Sequence, residues 1–291
     1  MLSPLWFLHV LVWLVQMVRP APPAPPPVVL VPVSVASRPV DALVLLEANR
    51  YLAARGVRLT VTRRAASIED TGPEGLMSAP DRVGFALVGR EDDTALLGPV
   101  IADFRWPDVA GRSIAALGGT SGRILRFLLG QQGIRPRILP QVAPAPGADG
   151  ADLIQLPLDE AYGDPGPMAR RWVELGPEAG PYLAGILSAP RSLLARDPGL
   201  FVTITRGVAR AEARLAAPQP AVPPGFAPRL SPAARRALVR DMIHRGLVPL
   251  TPQFPRMERI RTATLLGLDP QHLLSRLDGA IALEALVSRP R

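Results

Sequence analysis

Apolar runs of strand length alternate with longer stretches of helical spacing along the chain after residue 27. The runs VVLVPVSVA, VRLTVT and VGFALVG predict three strands, and segment 39–55 predicts a helix between the first two. Further strands are predicted in TALLGPVI, RILPQV, ADLIQL, RWVEL and AGILSA, and further helices over 198–216, 233–245 and 271–286. This alternation favours an α/β fold with largely parallel sheets.

The stretch 106–132 combines a strand, a glycine-rich loop and a helix. Residues 112–117 form the apolar run, GGTSG follows it, and Leu and Ile residues then recur at helical spacing. Thr120 or Ser121 is the predicted N-cap, and Gly133 is the predicted stop. The amides at such a helix N-terminus favour phosphate, sulfonate or carboxylate. GGTSG fits neither a nucleotide P-loop nor GxGxxG, so an ordinary strand-to-helix connection is an equal alternative.

Residues 5–18 form an apolar run, which a proline-rich segment at 19–27 follows. The run is nearer in length to the core of a signal peptide than to a membrane span, which needs roughly 20 residues. No basic residue precedes it. We expect export or membrane tethering, with the proline-rich segment as an extended spacer. A buried helix and a misassigned start codon are the alternatives.

The composition is that of a globular protein with a basic surface. A chain of 291 residues with 48% hydrophobic residues can bury one large core or two medium ones. All 33 basic residues are arginine, which indicates genomic base composition more than chemistry. The formal net charge of +8 suits an anionic ligand or an anionic membrane surface. Nucleic acid is disfavoured as a partner, because the arginines are scattered and aromatic residues are few.

Catalytic and metal-binding patterns are weak in this sequence. The absence of Cys excludes disulfides, thiolate metal sites and a cysteine nucleophile. His244 and His272 lie near predicted helix ends, and no histidine spacing is typical of a metal site. Ser121 does not lie in a GxSxG motif. The acidic cluster at 91–93 follows a strand, where metal ligands can occur, but an exposed loop is the favoured interpretation. We therefore predict no catalytic residue, no metal and no cofactor.

Four phrases occur in an order that is similar to one protein family. ANRYLAARGVRLTV at 48–61 resembles its early helix-Gly-strand unit, and FRWPDVAGRSIAALGGTSG at 104–122 resembles its entry into a second lobe. VELGPEAGPYLAGILSAPRSLLARDPGLF at 173–201 and GLVPLTPQF at 246–254 resemble two later phrases. Over most of residues 28–290 the chain thus resembles the extracytoplasmic solute-binding proteins of ABC importers, in the nitrate, sulfonate, taurine and thiamine-precursor group.

The resemblance implies a two-lobed periplasmic-binding-protein fold of type II, with hinge strands between the lobes and ligand in the cleft. Transferred to this chain, it assigns residues 28–105 and 182–291 to lobe one and residues 106–181 to lobe two. It further implies a monomer without enzymatic activity that lies outside the cytoplasm. Such a protein delivers a small-molecule solute, here expected to be an anion, to an ABC permease in the membrane.

The candidate ligand-binding residues lie beyond the carboxyl ends of predicted strands, where α/β folds bind ligands. Arginines at such places can bind an anion through two hydrogen bonds, and a solvated surface charge is the alternative for each. Glu160, in LPLDEAY, is a candidate for contact with a cationic or amino group, or for capping the next segment. The candidates are Ser34, Ser37, Arg38, Arg63, Gly119, Thr120, Ser121 and Glu160.

One departure from the family pattern lies at residues 65–80, which are rich in Gly and Pro where the family has a helix. One wall of the cleft is therefore expected to be shallow or reshaped. Two other functions stay open beside solute binding. The first is an enzyme on the same fold that acts on a small phosphorylated or carboxylated metabolite, with Asp159 or Glu160 as acid or base. The second is a degenerate paralogue that binds no ligand.

Overall fold

The computed structural model describes residues 29–35, 38–62, 66–91, 93–101, 103–140, 150–163 and 170–277. The apolar run and the proline-rich segment, over residues 1–27, lie outside these ranges, as does the end of the helix predicted at 271–286. Within the described part of the chain, none of the helices has both the length and the apolar character that a membrane crossing needs.

Ten strands of the described residues form two five-stranded sheets. They are β1 (Val29–Val35), β2 (Val57–Thr62), β3 (Ile68–Asp70), β4 (Arg82–Arg90), β5 (Thr94–Gly98), β6 (Ser113–Ala116), β7 (Arg137–Pro140), β8 (Leu153–Pro157), β9 (Arg170–Glu174) and β10 (Leu183–Pro190). The strand order is β2-β1-β3-β10-β4 in the first sheet and β7-β6-β8-β5-β9 in the second. Both sheets are mixed rather than largely parallel, because β10 runs antiparallel to β3 and β4, and β5 to β8 and β9.

Helices pack on both sheets and connect their strands. They are α1 (Pro39–Leu52), α2 (Gly72–Ser78), α3 (Gly119–Gln131), α4 (Leu158–Ala161), α5 (Leu175–Ala179), α6 (Arg191–Arg196), α7 (Pro198–Leu215), α8 (Pro232–His244) and α9 (Arg256–Leu266). Residues 270–277 are also helical. Within residues 65–80, the segment whose sequence departs from the family's helix, a helix nevertheless forms, because α2 buries Leu76 against Leu87 and Ile186.

The core of the first sheet lies between its strands and the pair α1 and α7. Val33 of β1 and Leu43 of α1 are fully buried in it. Phe85 of β4 meets Phe201 of α7 edge to face, with ring centroids 5.0 Å apart. Burial of each such side chain stabilises the folded state by about 1.5–3 kcal/mol. The packing therefore fixes the position of α1 on the sheet, and with it the position of Arg38, the residue before α1.

The chain passes from the first sheet to the second between β4 and β5, and returns between β9 and β10. These crossings separate two lobes, each with its own sheet. The strand pairing places β5 in the second sheet, although the predicted boundary at residue 105 assigns it to lobe one. The lobe boundaries themselves stay a prediction.

Candidate functional site

A cleft of about 380 Å³ lies between the two sheets, beside the segments that cross from one sheet to the other. Arg38 and the first turn of α2 line it from the first sheet, and residues 117–121 line it from the second. Thr94 and Pro157 complete the second-sheet side. The cleft thus lies where ligand sites in α/β folds are found, at the boundary of two lobes.

The N-terminus of α3 opens into this cleft without a side-chain cap. Gly118 is the N-cap in an extended conformation, and Gly119 has a φ of 62°, which glycine adopts without strain. The predicted N-cap at Thr120 or Ser121 is therefore wrong, because both residues lie in the first helical turn. The first-turn amides have no acceptor within the helix, so they and the helix dipole favour an anion here.

Gln155 of β8 holds the loop between β6 and α3 in place. Its side chain is fully buried, and its Oε1 accepts a hydrogen bond from the Leu117 amide at 3.2 Å. Its Nε2 donates to the Ser121 carbonyl at 3.1 Å and to Thr94 Oγ1 at 3.0 Å. Gln155 was not among the predicted site residues, although a lone amide in the apolar run ADLIQL is a signal of a buried polar contact.

Arg38, the residue before α1, is oriented by the first crossing segment. Its Nε donates to Asp93 Oδ1 at 3.2 Å, and its Nη2 donates to the Glu91 carbonyl at 3.0 Å. Asp93 Oδ2 also accepts from the Val40 amide at 3.3 Å and so caps α1. The interpretation of 91–93 as an exposed loop is wrong for Asp93, which is buried in these contacts. Arg38 Nη1 is buried and has no hydrogen-bond partner among the described residues.

Two more carboxyl groups, those of Asp41 and Asp70, are buried behind Arg38. Asp41 Oδ2 lies 3.6 Å from Arg38 Nε, and Asp70 Oδ1 accepts from the Ile186 amide at 3.2 Å. Burial raises the pKa of Asp41 well above its usual range and also raises the pKa of Asp70, because desolvation outweighs the attraction of Arg38. Asp93 is the carboxyl group that accepts a hydrogen bond from the guanidinium, at 3.2 Å.

Glu74 of α2 spans the cleft to the first turns of α3. Its Oε1 lies 2.6 Å from Arg123 Nε, and its Oε2 accepts from Thr120 Oγ1 at 3.5 Å. The sequence analysis missed Glu74, since nothing in the local pattern indicates that residue 74 lies beside residues 120 and 123.

The structure brings part of the predicted site together. Arg38, Gly119, Thr120 and Ser121 all line the cleft. Glu160 is exposed on α4 and is not among the lining residues, so its contact with a ligand stays a prediction. Two other candidates, Ser37 and Arg63, lie outside the described residues, and of Ser34 only the backbone, in β1, is described.

Asp159 of α4 lies two residues after Pro157, which lines the cleft. Burial, with repulsion from Glu160 and Asp93, raises its pKa to about 6. A pKa this close to neutral pH is typical of general acids and bases.

No protein-family model and no curated protein matches the chain. Solved structures match it over most of its length. The ligand-binding component of an ABC-type import system from Staphylococcus aureus, solved with zinc bound, is 11% identical with a TM-score of 0.65, over 90% of this chain and 99% of that chain. The periplasmic sulfonate-binding protein SsuA from Methylobacillus flagellatus KT is 14% identical with a TM-score of 0.57, over 91% and 98%. At these identities the likeness is one of fold.

The chain has the periplasmic-binding-protein fold. Its two mixed sheets with interleaved helices are the two lobes of that fold. One similar structure is that of an enzyme: the desulfurization enzyme DSZB is 17% identical with a TM-score of 0.50, over 88% of this chain and 96% of that chain. The fold alone therefore does not distinguish a binding protein from an enzyme, and the residues of the cleft have to be considered.

Proposed function

We propose that the protein captures a small anion between its lobes and acts as the solute-binding component of an ABC importer. One observation carries this proposal. The uncapped first turn of α3 lines one side of the cleft, and Arg38, with an unshared Nη1, lines the other. Amides and a guanidinium on opposite sides of one cleft form a donor set for nitrate, a sulfonate or a carboxylate.

Binding in this proposal depends on donors that are already oriented. The anion accepts hydrogen bonds from the amides of Gly119 to Ser121 and a charge-assisted hydrogen bond from Arg38. Because Asp93 and the Glu91 carbonyl already hold the guanidinium, little side-chain entropy is lost when ligand binds. Approach of the two lobes then excludes water and strengthens each of these interactions.

The transport role is supported by the similarity of the fold to solved structures and by the N-terminal sequence. The structures from Staphylococcus aureus and Methylobacillus flagellatus are described as an ABC import component and a sulfonate-binding protein. The apolar run at 5–18 and the proline-rich segment after it suit export or tethering outside the cytoplasm. A monomer that presents its solute to an ABC permease follows from the same proposal.

A second candidate is an enzyme that acts on a small anionic metabolite. The observation in its favour is Asp159, whose pKa of about 6 suits proton transfer at neutral pH. The fold shared with DSZB is compatible with it. The solute-binding proposal is preferred, because the donors described above line the cleft itself while Asp159 is not among the lining residues.

A thermal-shift screen of the purified chain tests this proposal. The panel contains nitrate, ethanesulfonate, taurine, bicarbonate and a phosphate ester, because a ligand of the folded state raises the melting temperature. NMR of the recovered ligand then shows whether it is chemically unchanged. A saturable shift with unchanged ligand is expected for a solute receptor. A consumed compound favours the enzyme, and no shift across the panel contradicts anion capture and favours a paralogue without ligand.

A further inference from the structure

Glu74 places a carboxylate at the point where the proposed anion binds. It extends from α2 in one lobe to the first turn of α3 in the other, where it meets the Thr120 hydroxyl and the Arg123 guanidinium. Its side chain is only 18% exposed, so water screens its charge weakly. The field at the α3 N-terminus is therefore the sum of a positive helix end and a nearby negative charge.

The other charges that line the cleft do not compensate Glu74. Arg38 and Asp93 form an ion pair at 3.2 Å and largely cancel each other. Arg123, the partner of Glu74, is 55% exposed, so solvent screens its side of the pair more strongly. An anion at the first turn of α3 consequently feels a repulsion from Glu74 that Arg123 only partly removes.

This repulsion depends on the charge of the ligand. Like charges a few ångströms apart in a partly desolvated site repel by about 1–4 kcal/mol, and a dianion feels twice the repulsion of a monoanion. The cost of removing the ligand from water rises still more steeply with its charge. The amides of α3 and Arg38 thus compensate the desolvation and repulsion of a monoanion more fully than those of a dianion.

We propose that Glu74 is a specificity residue that makes the cleft select monoanionic head groups, such as nitrate or a sulfonate, over dianions such as sulfate. The proposal rests on the proposed function, since it concerns the same cleft. It assigns Glu74 a role in discrimination between ligands, in addition to its contact between the lobes.

The test is calorimetric titration of the full chain with nitrate, ethanesulfonate and sulfate at constant ionic strength. Glu74→Gln removes the charge with little change of shape, and Glu74→Asp retains it. Asp103→Asn is the matched control, because it removes one exposed negative charge outside the cleft. If Glu74→Gln does not fold by circular dichroism, Glu74→Ala replaces it, since alanine is compatible with α2.

We expect Glu74→Gln to improve sulfate affinity by about tenfold more than nitrate affinity, because removal of the carboxylate relieves twice the repulsion for a dianion. Glu74→Asp and Asp103→Asn should keep the wild-type ratio. An unchanged ratio in the Gln or Ala variant overturns the proposal. Failure of the wild-type chain to bind any monoanion would instead count against the proposed function, and a gain of sulfate binding by Glu74→Gln would still support the role of Glu74.

Discussion

Arg38 is the side chain on which the proposed binding depends most. Two of its nitrogens donate to Asp93 and to the Glu91 carbonyl, and the third, Nη1, has no hydrogen-bond partner among the described residues. Lysine at this position would retain the charge beside Asp93, but it lacks the planar guanidinium group that can donate to the protein and to an anion at the same time.

Arg38→Lys is therefore expected to fold and to lose anion affinity by at least about tenfold, or 1.4 kcal/mol. Calorimetric titration with the anion selected in the screen measures this loss, and circular dichroism establishes that the variant is folded. Wild-type affinity in the folded variant would remove Arg38 from the site.

Glu212 is a buried residue of α7 with consequences for stability. It is 0% exposed, its oxygens have no hydrogen-bond partner among the described residues, and burial raises its pKa from 4.5 to about 9. The folded state therefore holds a proton that the unfolded state releases above pH 4.5. The resulting stability is complete below that pH and is lost as pH rises toward 9.

Glu212→Gln should raise the melting temperature at pH 8 and leave it nearly unchanged at pH 4. At pH 7 the gain corresponds to roughly 3.5 kcal/mol, from 1.4 kcal/mol for each of the 2.5 units between the pH and the unfolded pKa of 4.5. Thermal unfolding at the two pH values measures it. Equal shifts at both pH values would mean that the carboxyl group does not titrate in this way.

At the residue scale, the sequence predicted residues that line the cleft and missed the groups that hold them in place. Arg38 and GGTSG were candidates because each lies just after an apolar run. Asp93, Gln155 and Glu74 act on residues more than 30 positions away in the chain, so no local pattern shows their role.

Two paired strands of the first sheet each carry a glycine that leaves space for the Asp41 carboxylate behind Arg38. Gly89 of β4 and Gly185 of β10 are paired across the first sheet, and a Cβ on either would collide with the Asp41 carboxylate. The strands can thus carry the chain to the second lobe while Asp41 stays beside Arg38.

Gly185→Ala is expected to destabilise the protein by about 1–3 kcal/mol and to weaken anion binding, because Asp41 must shift away from Arg38. Urea unfolding and calorimetric titration measure the two effects. Gly130→Ala in α3, where a Cβ meets nothing within 4 Å, is the control and should be neutral or stabilising. Similar behaviour of both variants would contradict the role of Asp41.

The first turn of α3 supplies the amides of the proposed site. Thr120→Pro removes one of them at a position where helices tolerate proline, so the variant should fold but bind the anion at least about tenfold more weakly. Thr120→Val retains the amide and removes the hydroxyl that contacts Glu74. Calorimetry should find the loss in the proline variant alone, and equal affinities in the two variants would exclude the amide as a ligand.

The sequence predicted the helices whose apolar pattern is regular and missed five of the described ones, α2, α4, α5, α6 and α9. α4, α5 and α6 are short helices, and the other two lack a regular apolar pattern. α2 contains two glycines and a proline, and its burial of Leu76 is a tertiary effect. α9 buries the polar Glu258 and Thr262 and exposes Met257 and Ile260, so its sequence lacks the usual apolar stripe.

The two lobes of the whole molecule are joined by more than the crossing segments. Arg245, just after α8, forms an ion pair with Glu174 of β9, and the Tyr162 hydroxyl after α4 contacts Asp241 of α8. Leu265 and Leu266 of α9 pack in the same cluster as Ile124 of α3. The C-terminal helices therefore contact the lobe that carries the glycine-rich loop, which places α3 firmly at the cleft.

At the whole-molecule scale, the two-lobed fold was predicted from the order of four phrases, and solved structures of that fold match the chain. The charge of the cleft was not predictable in the same way. The net charge of +8 belongs to the surface as a whole, whereas the cleft depends on the local balance of Arg38, Asp93 and Glu74.

The most direct test of anion capture is a crystal structure of the chain with the anion selected in the screen. The account predicts the head group in the inter-lobe cleft, within about 2.7–3.2 Å of the amides of Gly119 to Ser121 and of Arg38 Nη1. An anion bound elsewhere, or held in the cleft without contact to α3 and Arg38, would contradict it.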